Sequence, residues 1–350
     1  MTSRLVWLIL VLLAPCRAAS AQAPASQAAP GAAVAELCAE ARKLEGWVES
    51  DLARALLRAA PRLPKIAPRT LYRDPETRVW HSERAAQALD AAAREKLESR
   101  VVDESFYYHT KYGTPLAYAR AIDLLGRDEK APWAGWAGRR VLDFGYGTIG
   151  HLRLLALNGA DVVGVDVDTL LTALYSEPSD TAPLPGIEGP QGNITLVEGH
   201  FPGDAPVRAK VGGGFDLFLS KNTLKRGYVH PSRPADERML LNLGVDDETY
   251  VRAVFDLLKP GGRFMIYNIC PPPSPPDEPY KPWSDGRCPF DKELLERVGF
   301  EVASFDVDDT PALRAMARLL AWDARHDIDN DLFAWFTLAR RPPTGVERGF

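Results

Sequence analysis

The sequence predicts an α/β chain built on an open, mostly parallel sheet with helices wound on both faces. Three observations predict it. Arg139 to Asp168 (RRVLDFGYGTIGHLRLLALNGADVVGVDVD) reads as an apolar strand, a glycine-rich turn, an amphipathic helix and a second strand ending in acids, which is one βαβ half of a nucleotide-binding sheet. Further apolar runs at Ile194 to Glu198 and Phe215 to Ser220 are followed by a helical pattern over Asp247 to Lys259, stopped by Pro260-Gly261-Gly262. Charged residues at 25% and apolar ones at 46% place the chain among soluble globular proteins.

Each part of the first unit has a physical reason. Val141 and Leu142 open the first strand, and Gly145, Gly147 and Gly150 punctuate the turn. Glycine suits that turn because a Cβ would hold a ligand away from the backbone N–H groups and the helix N-terminus. Leu152, Leu154, Leu155 and Leu157 give the helix its apolar side, and Val162 to Val167 forms the second strand. Asp166 at its end is placed to accept hydrogen bonds from two ribose hydroxyls.

Two cofactors fit this stretch. Read as Gly145-x-Gly147-x-x-Gly150 with Asp166 downstream, it satisfies the dinucleotide fingerprint. Read as Asp143-x-Gly145-x-Gly147, it resembles motif I of the class I S-adenosylmethionine-dependent methyltransferases. Asp143 separates the two, since a carboxylate beside a pyrophosphate repels it, whereas an ammonium and a sulfonium favour one. The resemblance continues through FDLFLS at Phe215 to Ser220, LLKPGGRFMIYNI at Leu257 to Ile269 and FDKELLERVGFEVASFD at Phe290 to Asp306, and spans roughly Arg139 to Arg340.

What this resemblance implies is a doubly wound, seven-stranded, mostly parallel sheet with an antiparallel last strand at Leu332 to Ala339, preceded by an N-terminal helical extension. It further implies S-adenosyl-L-methionine as cofactor. By the same resemblance the cofactor would be bound by Asp143, Phe144, Gly145, Gly147, Asp166, Val167, His200, Phe201, Ser220 and Tyr112. The chain departs from the pattern at Ile149, where members commonly carry glycine, and at His200, where an acid often meets the adenine amino group. The branched Ile149 side chain either crowds the methionine end of the cofactor or points into helix packing.

The chain is longer than one such sheet requires, so a segment of about 100 residues must be housed elsewhere. Met1 to Ala21 reads as a secretory signal: Arg4, an apolar core at Leu5 to Ala14, and a small-x-small cleavage site at Ala19-Ser20-Ala21. That core is too short to span a bilayer, so no stable membrane span is expected after cleavage. The expected location is periplasmic or secreted, or cytoplasmic if the start codon lies elsewhere. Residues 22–33 read as an Ala/Pro/Gln tether, 34–136 as a helical cap and lid, 137–342 as the methyltransferase-like domain and 343–350 as a tail.

Within the cap, Val34 to Ala60 and Ser82 to Val102 are expected helices and Arg69 to Trp80 a loop. The aromatic cluster around Phe106, Tyr107, Tyr108, His109 and Tyr112 is either a lid, with Lys111 and Tyr112 over the cofactor, or core packing. Glu177 to Gly192 reads as a surface excursion, and Pro271 to Pro289 as a stiff loop beside the pocket. Cys270 and Cys288 bracket that loop as a disulfide or as free thiols. No metal-ligand spacing occurs in the sequence.

The reacting site is expected just past the fourth strand, at Lys221 to Pro231 (KNTLKRGYVHP). Methyl transfer from a sulfonium is an in-line displacement, so the protein aligns a nucleophile and removes its proton where needed. His230 and Tyr228 are the candidate bases, and Lys221, with Lys225 and Arg226, is the candidate holder of a small or anionic acceptor. A net charge of -5 argues against nucleic acid as partner. Two other functions use the same residues: a nicotinamide (NAD)-dependent oxidoreductase on the three glycines, and a non-catalytic exported binding module.

Overall fold

A computed structural model describes residues 31–128, 133, 135–187 and 189–343. The expected signal segment, most of the expected tether and most of the expected tail lie outside them. The cap opens with α1 (Ala32–Glu45) and α2 (Asp51–Arg58). These are two helices where the apolar spacing suggested one. Gly46 ends the first, and the Ser50 hydroxyl starts the second by accepting from the Ala53 N–H at 3.2 Å.

Next come β1 (Arg69–Arg73) and β2 (Trp80–Ser82), the short α3 (Glu83–Gln87) and α4 (Ala91–Glu95), and β3 (Glu98–Val102). The three strands form a small antiparallel sheet in the order β2-β1-β3, which corrects the expected loop at Arg69 to Trp80 and the expected helix at Ser82 to Val102. The Asp74 carboxylate accepts from the Glu76 and Thr77 N–H groups, and this tight turn brings the hairpin strands together. Strand pairing thus overrides the Ala- and Glu-rich helical composition of the third segment. The cap closes with α5 (Glu104–His109) and α6 (Ala119–Gly126).

The main sheet carries β4 (Arg140–Phe144), α7 (Gly150–Leu157), β5 (Asp161–Asp166), α8 (Thr169–Leu174), β6 (Asn193–Glu198), α9 (Ala205–Val211) and β7 (Phe215–Lys221). It continues through α10 (Arg226–Val229), α11 (Asp247–Leu257), β8 (Leu258–Cys270), α12 (Lys292–Val298), β9 (Glu301–Asp308), α13 (Thr310–Leu319) and β10 (Phe333–Arg340). Among the described residues the order is β6-β5-β4-β7-β8-β10-β9, seven strands with β10 antiparallel to both neighbours. This is the doubly wound, methyltransferase-type sheet that the resemblance implied.

Alternation along each strand divides the core. Val141, Leu217, Leu219 and Met265 face α7 and the cap, whereas Leu142, Phe218, Phe264 and Ile266 face α11 and α12. Each such side chain, fully buried, contributes about 1.5–3 kcal/mol. The cap is also tied on by ions. Asp180, inside the expected surface excursion, is buried between Arg69 of β1 and Arg153 of α7 and accepts from the Tyr107 hydroxyl at 2.7 Å. Arg120 of α6 forms a bidentate pair with Asp309 at 2.7 and 2.9 Å, and Tyr267 of β8 joins it. Cys270 and Cys288 are free thiols, and no helix among the described residues is long and apolar enough to cross a membrane.

Candidate functional site

A cavity of 1530 Å³ lies over the carboxyl ends of β4, β5, β7 and β8, with the cap as its far wall. An open α/β sheet takes its ligands at this edge because the chain reverses there and a crevice opens between loops. Tyr112, Phe144, Gly145, Gly147, Asp166, Val167, His200, Phe201, Lys221 and Tyr228 line it. Of the residues expected at the site, Asp143, Ser220 and His230 do not.

Asp143 is fully buried, and its Oδ2 is 2.5 Å from Nε2 of His151. Tyr118 stacks on that imidazole with ring centroids 3.5 Å apart. Burial pushes His151 below its usual pKa, so the ring is neutral and donates to the carboxylate. Asp143 is therefore held through Oδ2 while its Oδ1 is buried without a hydrogen bond, and it does not line the cavity where direct contact with a ligand's cationic tail was expected. Ser220 is equally closed off, accepting from the Leu224 N–H at 3.3 Å.

The glycine turn is filled by protein. Gly145 and Gly147 hold φ of 76° and 58°, the left-handed region that glycine occupies without strain. A Cβ on Gly145 would lie 2.1 Å from Thr223 Oγ1, and one on Gly147 3.0 Å from the Tyr112 ring. Close approach is needed here, but by side chains of this chain. The turn's amides are also engaged. Gly147 N–H donates to Asp166 Oδ2 at 3.2 Å, Ile149 N–H to the Tyr175 hydroxyl at 3.2 Å and Gly150 N–H to Thr148 Oγ1 at 3.5 Å. Ile149 is buried in helix packing, which settles which way its branched side chain points.

Asp166 ends β5 at the cavity wall. Its carboxylate accepts from Val167 and Asp168 N–H at 2.8 and 3.0 Å. Burial, and then the charge of Asp168, raise its pKa to about 7 against these hydrogen bonds. Asp168 anchors the segment before the sheet, accepting from the Tyr112 hydroxyl at 2.6 Å and pairing with Lys111 at 2.7 Å. Thr110 adds a bond to the Gly147 carbonyl at 2.9 Å. Of the two readings of the aromatic cluster, Lys111 and Tyr112 do fold over the turn, while Tyr107 and Tyr108 are core.

The loop past β7 splits into an inner and an outer half. Lys221 and Lys225 are 7% and 4% exposed and line the cavity. Burial lowers both lysine pKa values to about 8. Tyr228, the other expected base, lines it too, and burial pushes its phenol up, against the phenolate form. His230 points the other way: exposed, it pairs with Asp247 at 2.8 Å beside a separate shallow hollow. The single turn of α10 carries the chain out of the cavity, so this expected base is absent from the site. Arg226 is spent on the Cys288 carbonyl at 3.1 Å and on Asp306 at 3.4 Å.

Several lining residues escaped sequence reasoning. Asn222 adopts φ of 65° and accepts from the Ile269 N–H at 2.7 Å, which turns the chain so that Thr223 meets Gly145. Glu40 of the cap also lines the cavity, and burial and then Glu36 raise it to about 7. Helical periodicity marks Glu40 only as a polar position between apolar ones, so no signal short of the tertiary fold places it there. Among the described residues no cluster of His, Cys, Asp or Glu has metal-binding geometry.

Compared with known proteins, the chain matches no family model and no curated protein. Among solved structures it is similar to the phosphoethanolamine N-methyltransferase 2 of Haemonchus contortus, at 15% identity over 78% of this chain and 68% of that one, TM-score 0.38. It is similar to an S-adenosylmethionine-dependent methyltransferase from Mesorhizobium loti at 19% identity, covering 64% and 98%, TM-score 0.34. The [4+2]-cyclase SpnF is similar at 17% identity, covering 59% and 76%, TM-score 0.36. Identity this low leaves the functional reading to rest on the cavity itself.

Proposed function

We propose that this protein binds S-adenosyl-L-methionine in the cavity over Gly145, Gly147 and Asp166 and methylates a small or anionic acceptor. The observation that carries the cofactor assignment is the state of the turn's amides. A dinucleotide pyrophosphate needs several free N–H groups at the strand-to-helix turn. Here those of Gly147, Ile149 and Gly150 already donate to side chains of the same chain. A cofactor with a nucleoside but no phosphate keeps its use for the rest of the site. Asp166 meets the ribose hydroxyls, and Val165, Phe144 and Phe201 form an apolar slot for the base with His200 at its rim.

When bound, the cofactor supplies a sulfonium methyl open to in-line displacement. The chain's own residues align and enclose. Tyr112, held by Asp168, and Thr223, against Gly145, close the site over the turn, which excludes water. Lys221 is the remaining group of the expected catalytic set that faces the cavity and titrates near neutrality. Its role is electrostatic orientation of the acceptor. Equilibrium titration with S-adenosylhomocysteine and with NAD tests the reading. Tight NAD binding with none of the sulfonium-derived ligand ends it.

Export belongs to the same proposal and rests on Met1 to Ala21. N-terminal sequencing of protein from the producing cell should begin at Gln22. A retained Met1 would refute cleavage after Ala21.

A further inference from the structure

The inner arm of the cavity holds two ammonium groups, and the one carboxylate whose charge reaches them, Asp143, acts on Lys221 without a hydrogen bond to it. Lys225 Nζ donates to the backbone carbonyls of Ile269 at 2.6 Å and Trp283 at 3.3 Å, which leaves it one N–H. Lys221 Nζ has no acceptor among the described residues and lies 5.1 Å from the centre of the Tyr118 ring. The charge of Asp143 acts on Lys221, but its Oδ2 bonds to His151 and no hydrogen bond joins the carboxylate to the ammonium. Two buried ammonium groups against one carboxylate leave an excess positive charge, which is unfavourable until an anion completes it. Around them the wall is aromatic and aliphatic: Phe144, Tyr228, Leu241, Ile269 and Trp283.

Resting on the methyltransferase reading, we propose that the acceptor is a carboxylic acid with an apolar body, its carboxylate held between Lys221 and Lys225. Four free N–H groups match the lone pairs of a two-oxygen monoanion, whereas a phosphate dianion calls for more donors and for walls less apolar than these. The position suits the chemistry. Lys221 ends β7 and Thr223 touches Gly145, so an acid anchored on the lysines places its body beside the turn over which the cofactor is proposed to lie. At neutral pH both lysines, at about 8, are still largely protonated.

The cofactor's own methionine carboxylate is a second source of the same group, and the arms of the test separate the two. Benzoate, benzamide and phenyl phosphate are titrated calorimetrically into the full-length mature protein and its Lys221→Met, Lys225→Met and Lys221→Arg variants, with S-adenosylhomocysteine as a parallel ligand and thermal melting as a folding control. Benzoate should bind the unmodified protein better than the other two probes. Either Met variant should weaken it at least about tenfold, and Lys221→Arg, which keeps the charge, should largely retain it. S-adenosylhomocysteine affinity should stay within about twofold across the set. Failure of benzoate to bind, equal binding of benzamide, a preference for phenyl phosphate, or indifference to the Met variants overturns the proposal. A loss confined to S-adenosylhomocysteine assigns the lysines to the cofactor tail and also overturns it. Lysine-dependent benzoate binding with no S-adenosylhomocysteine binding at all would refute the cofactor reading while leaving the carboxylate site standing.

Discussion

Replacing Lys221 by Met removes a buried ammonium but keeps an unbranched side chain of similar reach, and the ligand-free protein should become more stable. Lys221 is 7% exposed, and its pKa falls from 10.5 to about 8 through burial first and the charge of Lys225 second, against the opposite pull of Asp143. At about 1.4 kcal/mol per tenfold change in proton affinity, carrying that charge costs about 3 kcal/mol. Relaxation around the new side chain brings the expected gain to about 1–3 kcal/mol.

The pH dependence has a definite sign. Below about pH 8 the lysine is charged in both folded and unfolded chains, and the full penalty stands. Between about 8 and 10.5 the unfolded chain holds a proton that the fold releases, so the unmodified protein gains stability as pH rises and the advantage of the variant closes. The groups that set this window are Asp143 and Tyr118 on one side and Lys225 on the other. Lys225→Met is the contrasting control, since it strips a donor from the Ile269 and Trp283 carbonyls, at about 1–3 kcal/mol for each buried acceptor left unpaired. Urea denaturation of the three proteins from pH 6 to 10.5 measures all of this. A Lys221→Met variant less stable than the parent across the range would show that the ammonium is well partnered within the fold, and the reasoning from burial would fail.

Three further outcomes are expected. Asp166→Ala should weaken S-adenosylhomocysteine binding by about 1.5–3 kcal/mol in calorimetry, and an unchanged affinity would put the ribose elsewhere. Arg153→Met leaves Asp180 paired with Arg69 but strips a donor from the buried Tyr107 hydroxyl and the Ser179 carbonyl, so chemical denaturation should report a loss of about 1–3 kcal/mol; a loss below about 0.5 kcal/mol would mean that the cap is held by apolar packing rather than by this cluster. His230→Ala should leave ligand binding intact and stability within about 1 kcal/mol, because its pair with Asp247 is exposed. Loss of turnover in that variant, once an acceptor is known, would return His230 to the site.

Local pattern alone determined the layered α/β fold, because strands buried on both faces and a glycine turn leave marks within a few residues of one another. The unit from Arg139 to Asp168, the stop at Pro260-Gly261-Gly262 and the closing strand all follow from such short-range marks, and Asp166 and the lysines past β7 were identified as site residues by position. The cap's strands were not legible, since Glu98 to Val102 is a strand only by virtue of its pairing with Arg69 to Arg73. Asp143 and His230 show the other limit. Which way a polar side chain turns depends on its neighbours: His151 draws Asp143 into the core and Asp247 draws His230 to the surface. That choice is made by hydrogen-bond partners eight and seventeen residues away, and the engaged amides of the turn depend on Tyr175 and Asp166 in the same manner. Tertiary structure therefore decided which polar groups stay open at the turn, for the physical reason that a buried polar group must pair with a partner the fold brings within hydrogen-bond reach.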